Sequence, residues 1–226
     1  MRFKDVFSII GPSMIGPSSS HTAGAVRLGR VARQIFGALP AQADIELFGS
    51  FADTYRGHGT DLALIGGLLD YATDDPRIPK AEKYAEAAGM KIIFHPKKAK
   101  GAHPNTATIT LQGDQRSISM TGASIGGGNI EIMNVNQFDV TFSGVYPTLL
   151  ITHLDRPGMI AEITSIFGRA QMNIGYMDLD RKGREGDAMT VIEADAPISD
   201  ALVQEMNGLE MIREVIRVDL SERGHV

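Results

Sequence analysis

Apolar residues return at helical spacing through Ala25, Leu28, Val31, Ala32, Ile35 and Phe36, and Gly37 follows where such a helix would stop. Pro40 breaks the chain, after which Ile45-Glu46-Leu47-Phe48 reads as a strand ending at Gly49-Ser50. A second helix is expected from Thr60-Asp61, which would cap it, with Leu62, Ile65, Leu68 and Leu69 on its buried side. The Ala/Glu/Lys-rich run from Pro79 to Ala88 predicts an exposed helix, and Met90 to Phe94 a short strand ended by His95-Pro96. Thr106 to Leu111 and Ser117 to Thr121 alternate on either side of Gly113-Asp114, the mark of a hairpin. Ile130 to Val135 and Phe138 to Phe142 are the last strands of this half. Before all of these, Val6, Phe7, Ile9 and Ile10 give the chain a short amphipathic start.

Ser143-Gly144-Val145-Tyr146-Pro147 then reads as a boundary, which divides the chain into domains 1–143 and 148–226. Beyond it Leu149 to Leu154 is a strand, and Asp155-Arg156-Pro157-Gly158 turns into a helix carrying Ile160, Ile163, Ile166 and Phe167. Ile174 to Leu179, Ala188 to Ala194, Ser199 to Met206 and Ile212 to Leu220 follow as strand, strand, helix and strand. The order βαββαβ predicts a ferredoxin-like module, and the whole chain an α+β protein with a mixed α/β N-terminal domain.

The polar residues gather at two helix starts. Gly16-Pro17-Ser18-Ser19-Ser20-His21-Thr22 leads from a Gly/Pro-rich turn into the first helix, where backbone N–H groups have no partner of their own. A cap uses one hydroxyl and would leave the others as solvated surface; four hydroxyls around an imidazole would also suit a small anion. Gly57-His58-Gly59-Thr60-Asp61 repeats the arrangement, a glycine-flanked histidine just ahead of a capped helix, read either as a surface histidine or as an acid-base group. Gly122-Ala123-Ser124-Ile125-Gly126-Gly127-Gly128 lacks the lysine ending of a phosphate-binding loop and the spacing of a dinucleotide site, so a flexible connection between strands is the plain reading.

Length and composition narrow the picture. At 226 residues and 43% hydrophobic, the chain can bury one or two cores. Its net charge of −5 gives no electrostatic reason to expect nucleic acid or an anionic membrane as a partner. No stretch approaches the roughly 20 apolar residues of a membrane span. Met1 to Asp5 lacks the apolar core of a signal peptide, so a cytoplasmic location is expected. There is no cysteine, hence no disulfide and no thiolate ligand for an iron–sulfur cluster. No lysine stands where a pyridoxal phosphate Schiff base would be expected. No Asp/Glu/His spacing suggests a metal cage, which counts against a stand-alone metal-dependent hydrolase built on His21 and His58.

The run Gly16 to Thr22, together with Gly57 to Asp61 and Gly122 to Gly128, resembles the beta chains of two-subunit, iron–sulfur-dependent L-serine dehydratases, over essentially the whole chain. The resemblance implies an L-serine ammonia-lyase that eliminates water from L-serine. A cysteine-bearing alpha chain would hold a 4Fe–4S cluster, and this chain would supply His58 and His21 as acid-base residues. Ser18, Ser19, Ser20, Thr22 and Asp61 would then bind substrate. The N-terminal domain also resembles the substrate-binding regulatory domain of some phosphoglycerate dehydrogenases, which leaves a non-catalytic serine-sensing subunit as the alternative. Asp155 to Met159 and Met172-Asn173-Ile174 resemble an ACT domain. Such modules often bind an amino acid where two copies meet, implying homodimerisation and a ligand near His153, Gly158 and Asn173; others only dimerise.

Overall fold

The computed structural model describes residues 13–98, 103–183 and 186–221, so the expected amphipathic start lies outside the described residues. The chain divides into two compact units, 1–136 and 137–226.

In the first unit, one π-helical turn at Ser19–Ala23 runs directly into α1 (Gly24–Phe36). The stripe expected from spacing is the buried face: Ala25, Leu28, Val31, Ala32 and Ile35 are wholly buried. Then come β1 (Gln42–Phe48), the short α2 (Ser50–Thr54), α3 (Thr60–Leu68), α4 (Ala81–Ala87), β2 (Lys91–Lys97), β3 (Thr106–Gln112), β4 (Ser117–Gly126) and β5 (Asn129–Val135). The strands form one sheet in the order β2-β1-β3-β4-β5, with β1 and β2 parallel and the other pairs antiparallel. β2 continues through His95 and Pro96, where the sequence reading had ended it. It is an edge strand, the position in a sheet where proline is tolerated.

Helix α1 packs on β4, and α3 packs on α1. The sequence suggested one buried side for α3, but Ala63, Leu64, Ile65 and Leu68 are all buried while Leu62 and Leu69 are only half-buried. Contact with α1 and with α4 encloses it from more than one direction. The α1–α3 crossing is close because it is made through glycines. A Cβ on Gly67 would stand 2.1 Å from the Val26 carbonyl oxygen and 2.8 Å from Gly29 Cα. Both motif-bearing helix starts belong to this pair.

The second unit has the expected order: β6 (Thr148–Leu154), α5 (Met159–Arg169), β7 (Ile174–Arg181), β8 (Asp187–Ala194), α6 (Asp200–Asn207) and β9 (Ile212–Val218). Its antiparallel sheet runs β7-β8-β6-β9, the strand order of a ferredoxin-like βαββαβ module. Leu149, Ile151, Ile192 and Ala194 face Ile163, Ile166, Phe167, Leu202 and Met206 of the helices to form the core. Phe138 to Phe142 is not a ladder strand; it runs as an extended segment that hydrogen-bonds to side chains of β7. Among the described residues no helix is long and apolar enough to cross a membrane.

Candidate active site

Ser18 has extended backbone angles (φ −144°, ψ 124°) and its Oγ accepts the backbone N–H of His21 at 3.3 Å, so Ser18 is the cap of the first helix. Thr22 faces inward: it is buried, and its hydroxyl donates to the Ser18 carbonyl and lies 3.7 Å from Met14 Sδ. Ser19 and Ser20 remain half-buried, with hydroxyls that make no hydrogen bond among the described residues. The π-helical turn they open is wider than an α-turn, a form often found at functional positions.

His21 projects from this turn onto the second motif. Its ring lies 4.8 Å from that of His58, edge to face at 82°, and 5.4 Å from the ring of Phe51. Nδ1 lies 3.4 Å from Ser18 Oγ and Nε2 lies 3.0 Å from Ser50 Oγ. Partial burial, and secondarily the neighbouring His58, push the His21 pKa below its ordinary value. His58 is exposed, and its imidazole makes no hydrogen bond among the described residues. It sits in the tight turn between α2 and α3, its N–H donating to the Thr54 carbonyl at 3.0 Å. Asp61, in the first turn of α3, accepts the Leu62 N–H at 2.8 Å; burial raises its carboxyl pKa.

Three polar groups that sequence reasoning did not single out as site residues join this region. Ser50 opens α2 immediately after β1, and Phe51 beside it donates its N–H to the Pro104 carbonyl. Ser124, at the glycine-rich end of β4, is fully buried and so close to Gly24 that a Cβ there would stand 2.1 Å from its Oγ. Asn105 is bonded to Ser124 through the Ser124 N–H (2.9 Å) and through its own amide. Ser124 Oγ, Asn105 Oδ1 and Thr60 Oγ1 are all buried without a hydrogen-bond partner among the described residues. Such atoms are uncommon because each forfeits its solvation, and they mark places where a bound polar group would be accommodated. The only signals in the sequence were Gly49-Ser50 after a strand and the serine ahead of the glycine run. Among the described residues no three His, Cys, Asp or Glu side chains are grouped to hold a metal.

In the second unit Gly158 caps α5 with φ +93°. The Asn173 amide donates to Asp195 Oδ2 at 2.7 Å on the exposed turn before β7. His153 is 2% exposed; its Nδ1 donates to the Leu154 carbonyl at 2.9 Å and its Nε2 lies 2.8 Å from Thr190 Oγ1. Both of its nitrogens are therefore engaged inside the unit.

The chain has clear relatives among known proteins. A family described as serine dehydratase beta chain matches residues 3–88, and the ACT domain family matches 147–210. The "Probable L-serine dehydratase, beta chain" of Bacillus subtilis (strain 168) is 46% identical over 218 residues, 96% of this chain and 99% of that protein. The "L-serine dehydratase, beta chain" of Peptoniphilus asaccharolyticus is 35% identical, covering 90% and 93%. A D-3-phosphoglycerate dehydrogenase of Synechocystis sp. is 27% identical over 87% of this chain but only 36% of its own length. With two histidine motifs meeting at the starts of two packed helices, an ACT module following them in the sequence and near full-length similarity of this order, the chain belongs to the family of L-serine dehydratase beta chains.

Proposed function

We propose that this chain is the substrate-holding, proton-moving half of a two-chain L-serine dehydratase, a cytoplasmic lyase that converts L-serine to pyruvate and ammonia. The observation that carries this reading is the imidazole pair, 4.8 Å apart, at the start of a helix whose Ser19 and Ser20 hydroxyls make no hydrogen bond among the described residues. The Cα proton of serine is weakly acidic and needs a base placed against it; His58, exposed and without a hydrogen bond to its imidazole among the described residues, is that base. The substrate carboxylate is held by the helix start with Ser19 and Ser20. Proton removal from Cα and loss of the β-hydroxyl as water leave 2-aminoacrylate. Its imine tautomer takes up one water to give pyruvate and ammonia.

A chain without cysteine supplies no thiolates, so a cysteine-bearing alpha chain is the partner that would hold a 4Fe–4S cluster. When bound there, the cluster supplies the Lewis acid for the departing hydroxyl. No pyridoxal phosphate is invoked. The ACT modules would pair two copies of this chain.

The test is anaerobic co-expression with the cysteine-bearing chain and a pyruvate assay. Turnover is expected only from the pair, and His58→Ala should lower kcat by roughly 10²- to 10⁴-fold. Activity of the partner alone, unchanged by this chain carrying His58→Ala, would instead make it a non-catalytic serine-sensing subunit.

A further inference from the structure

We propose that Ser50 is a positioning residue: its hydroxyl, together with that of Ser18, clamps the His21 imidazole through both ring nitrogens and fixes the ring plane that His21 presents to His58. This rests on reading the site as half of a dehydratase centre, and it assigns the two histidines different tasks.

Each arm of the clamp comes from a separate, anchored element. Ser18 is held by its capping role, since its Oγ already accepts the His21 backbone N–H. Ser50 is held by what surrounds it. Its carbonyl accepts the Thr54 hydroxyl at 2.7 Å, and the next residue, Phe51, donates its N–H to Pro104 at 3.2 Å. The preceding Gly49 has φ +57° and lies so close to Pro104 that a Cβ would stand 2.7 Å from its Cα and carbonyl oxygen. The fully buried Phe51 closes the ring from one side at 5.4 Å. His21 therefore has little room to rotate about its ring bond.

The proton accounting is closed within the clamp. A neutral imidazole has one N–H and one bare nitrogen, and each hydroxyl can donate or accept. Whichever nitrogen of His21 carries the hydrogen, one serine accepts it and the other donates, so both nitrogens are satisfied without a net charge. The edge-to-face contact with His58 then contains no hydrogen bond between the rings, and neither nitrogen of His21 is left over for a substrate atom. His58 is the imidazole with nitrogens to spare. His21 acts on it as a fixed, uncharged neighbour, and Ser50 is what keeps it fixed.

The test uses Ser50→Ala and Ser50→Thr in the full chain, with two independent readouts. In the free chain, long-range ¹⁵N–¹H correlation spectra of histidine report the hydrogen bonding of the His21 ring nitrogens. In the complex with the cysteine-bearing chain, pyruvate formation reports kcat and KM. Ser50→Ala should change the His21 ring ¹⁵N shifts and lower kcat by about 10- to 100-fold with KM within about two-fold, as expected for a misplaced rather than a missing group. Ser50→Thr, which keeps the hydroxyl, should restore both. Should Ser50→Ala not fold, Ser50→Cys keeps the volume with a weak donor and acceptor and carries the same expectation. Unchanged ¹⁵N shifts would overturn the clamp. A rise in KM at constant kcat would overturn it in favour of direct substrate binding, and altered shifts with unaltered kinetics would overturn the link to His58. If the wild-type complex makes no pyruvate, the dehydratase reading fails, while the spectra still decide whether Ser50 holds His21.

Discussion

At the scale of single residues, the candidate site sets one partly buried imidazole beside another. His21 loses solvation on folding and stands next to His58, and both effects disfavour its protonated form, burial more than the neighbour. The sign follows directly. The folded chain binds this proton less readily than the unfolded one, so the contribution of His21 to stability is complete above the ordinary value of 6.5 and is lost as pH falls through the lowered folded value. A histidine NMR titration should therefore place the His21 midpoint below 6.5. In His58→Ala the midpoint should rise without reaching 6.5, because only the smaller of the two causes has been removed. A wild-type midpoint at or above 6.5 would mean that the ring is solvated and that the clamp described above is open.

The elements explain why two motifs nearly 40 residues apart in the chain converge. Each motif starts a helix, and the two helices touch backbone to backbone where Gly29 meets Gly67: a Cβ on Gly29 would stand 2.5 Å from the Leu64 carbonyl oxygen. Gly67→Ala must push α1 and α3 apart, since its Cβ meets backbone atoms that cannot rotate away. Overpacking of this kind costs about 1–3 kcal/mol and should separate His21 from His58, so both the thermal midpoint and kcat should fall. Gly66→Ala is the control. Its nearest obstacle is the flexible Ile78 side chain at 3.1 Å, and alanine gains helix propensity there, so its loss of midpoint should be smaller. An equal or smaller loss for Gly67→Ala would show that the crossing tolerates a methyl group. Much of this was legible in the sequence: the α1 stripe from Ala25 to Phe36, the two histidine turns and the βαββαβ order all rest on local periodicity. Ser50, Asn105 and Ser124 were not, because they join the site only through the pairing of β1 with β3 and β3 with β4. A parallel β1–β2 pair likewise leaves no local mark, and Pro96 reads as a break until β2 is known to be an edge.

For the whole molecule, the question is where the ACT unit begins. The family match starts at residue 147 and ends at 210, whereas the folded unit reaches from 137 through β9, which pairs with β6 along its length. The segment ahead of β6 makes only isolated bridges at Phe138 and Phe142 rather than a ladder, and three carboxylates hold it between them. The backbone N–H groups of Asp139, Thr141 and Ser143, at alternate positions, donate to Asp180 (2.9 Å), Asp178 (2.8 Å) and Glu193 (2.8 Å), and the Ser143 hydroxyl also donates to Glu193 (2.6 Å). Lys182 adds a cation over the Phe138 ring at 4.6 Å. Hydrogen bonds to charged groups contribute about 1.5–3 kcal/mol each when a partner would otherwise be lost. Asp178 and Asp180 are partly open and can turn to water; Glu193, 6% exposed, cannot do so without rearrangement. A chain beginning at Gln137 should therefore be more stable to urea than one beginning at Thr148, by about 3–6 kcal/mol from the two Glu193 bonds alone. Glu193→Gln in the longer chain should recover only part of that difference in the shorter chain's direction, since an amide still accepts but carries no charge. Equal urea midpoints for the two chains would mean that the segment and its carboxylate bonds add nothing to stability, and that the module is complete from β6 onward.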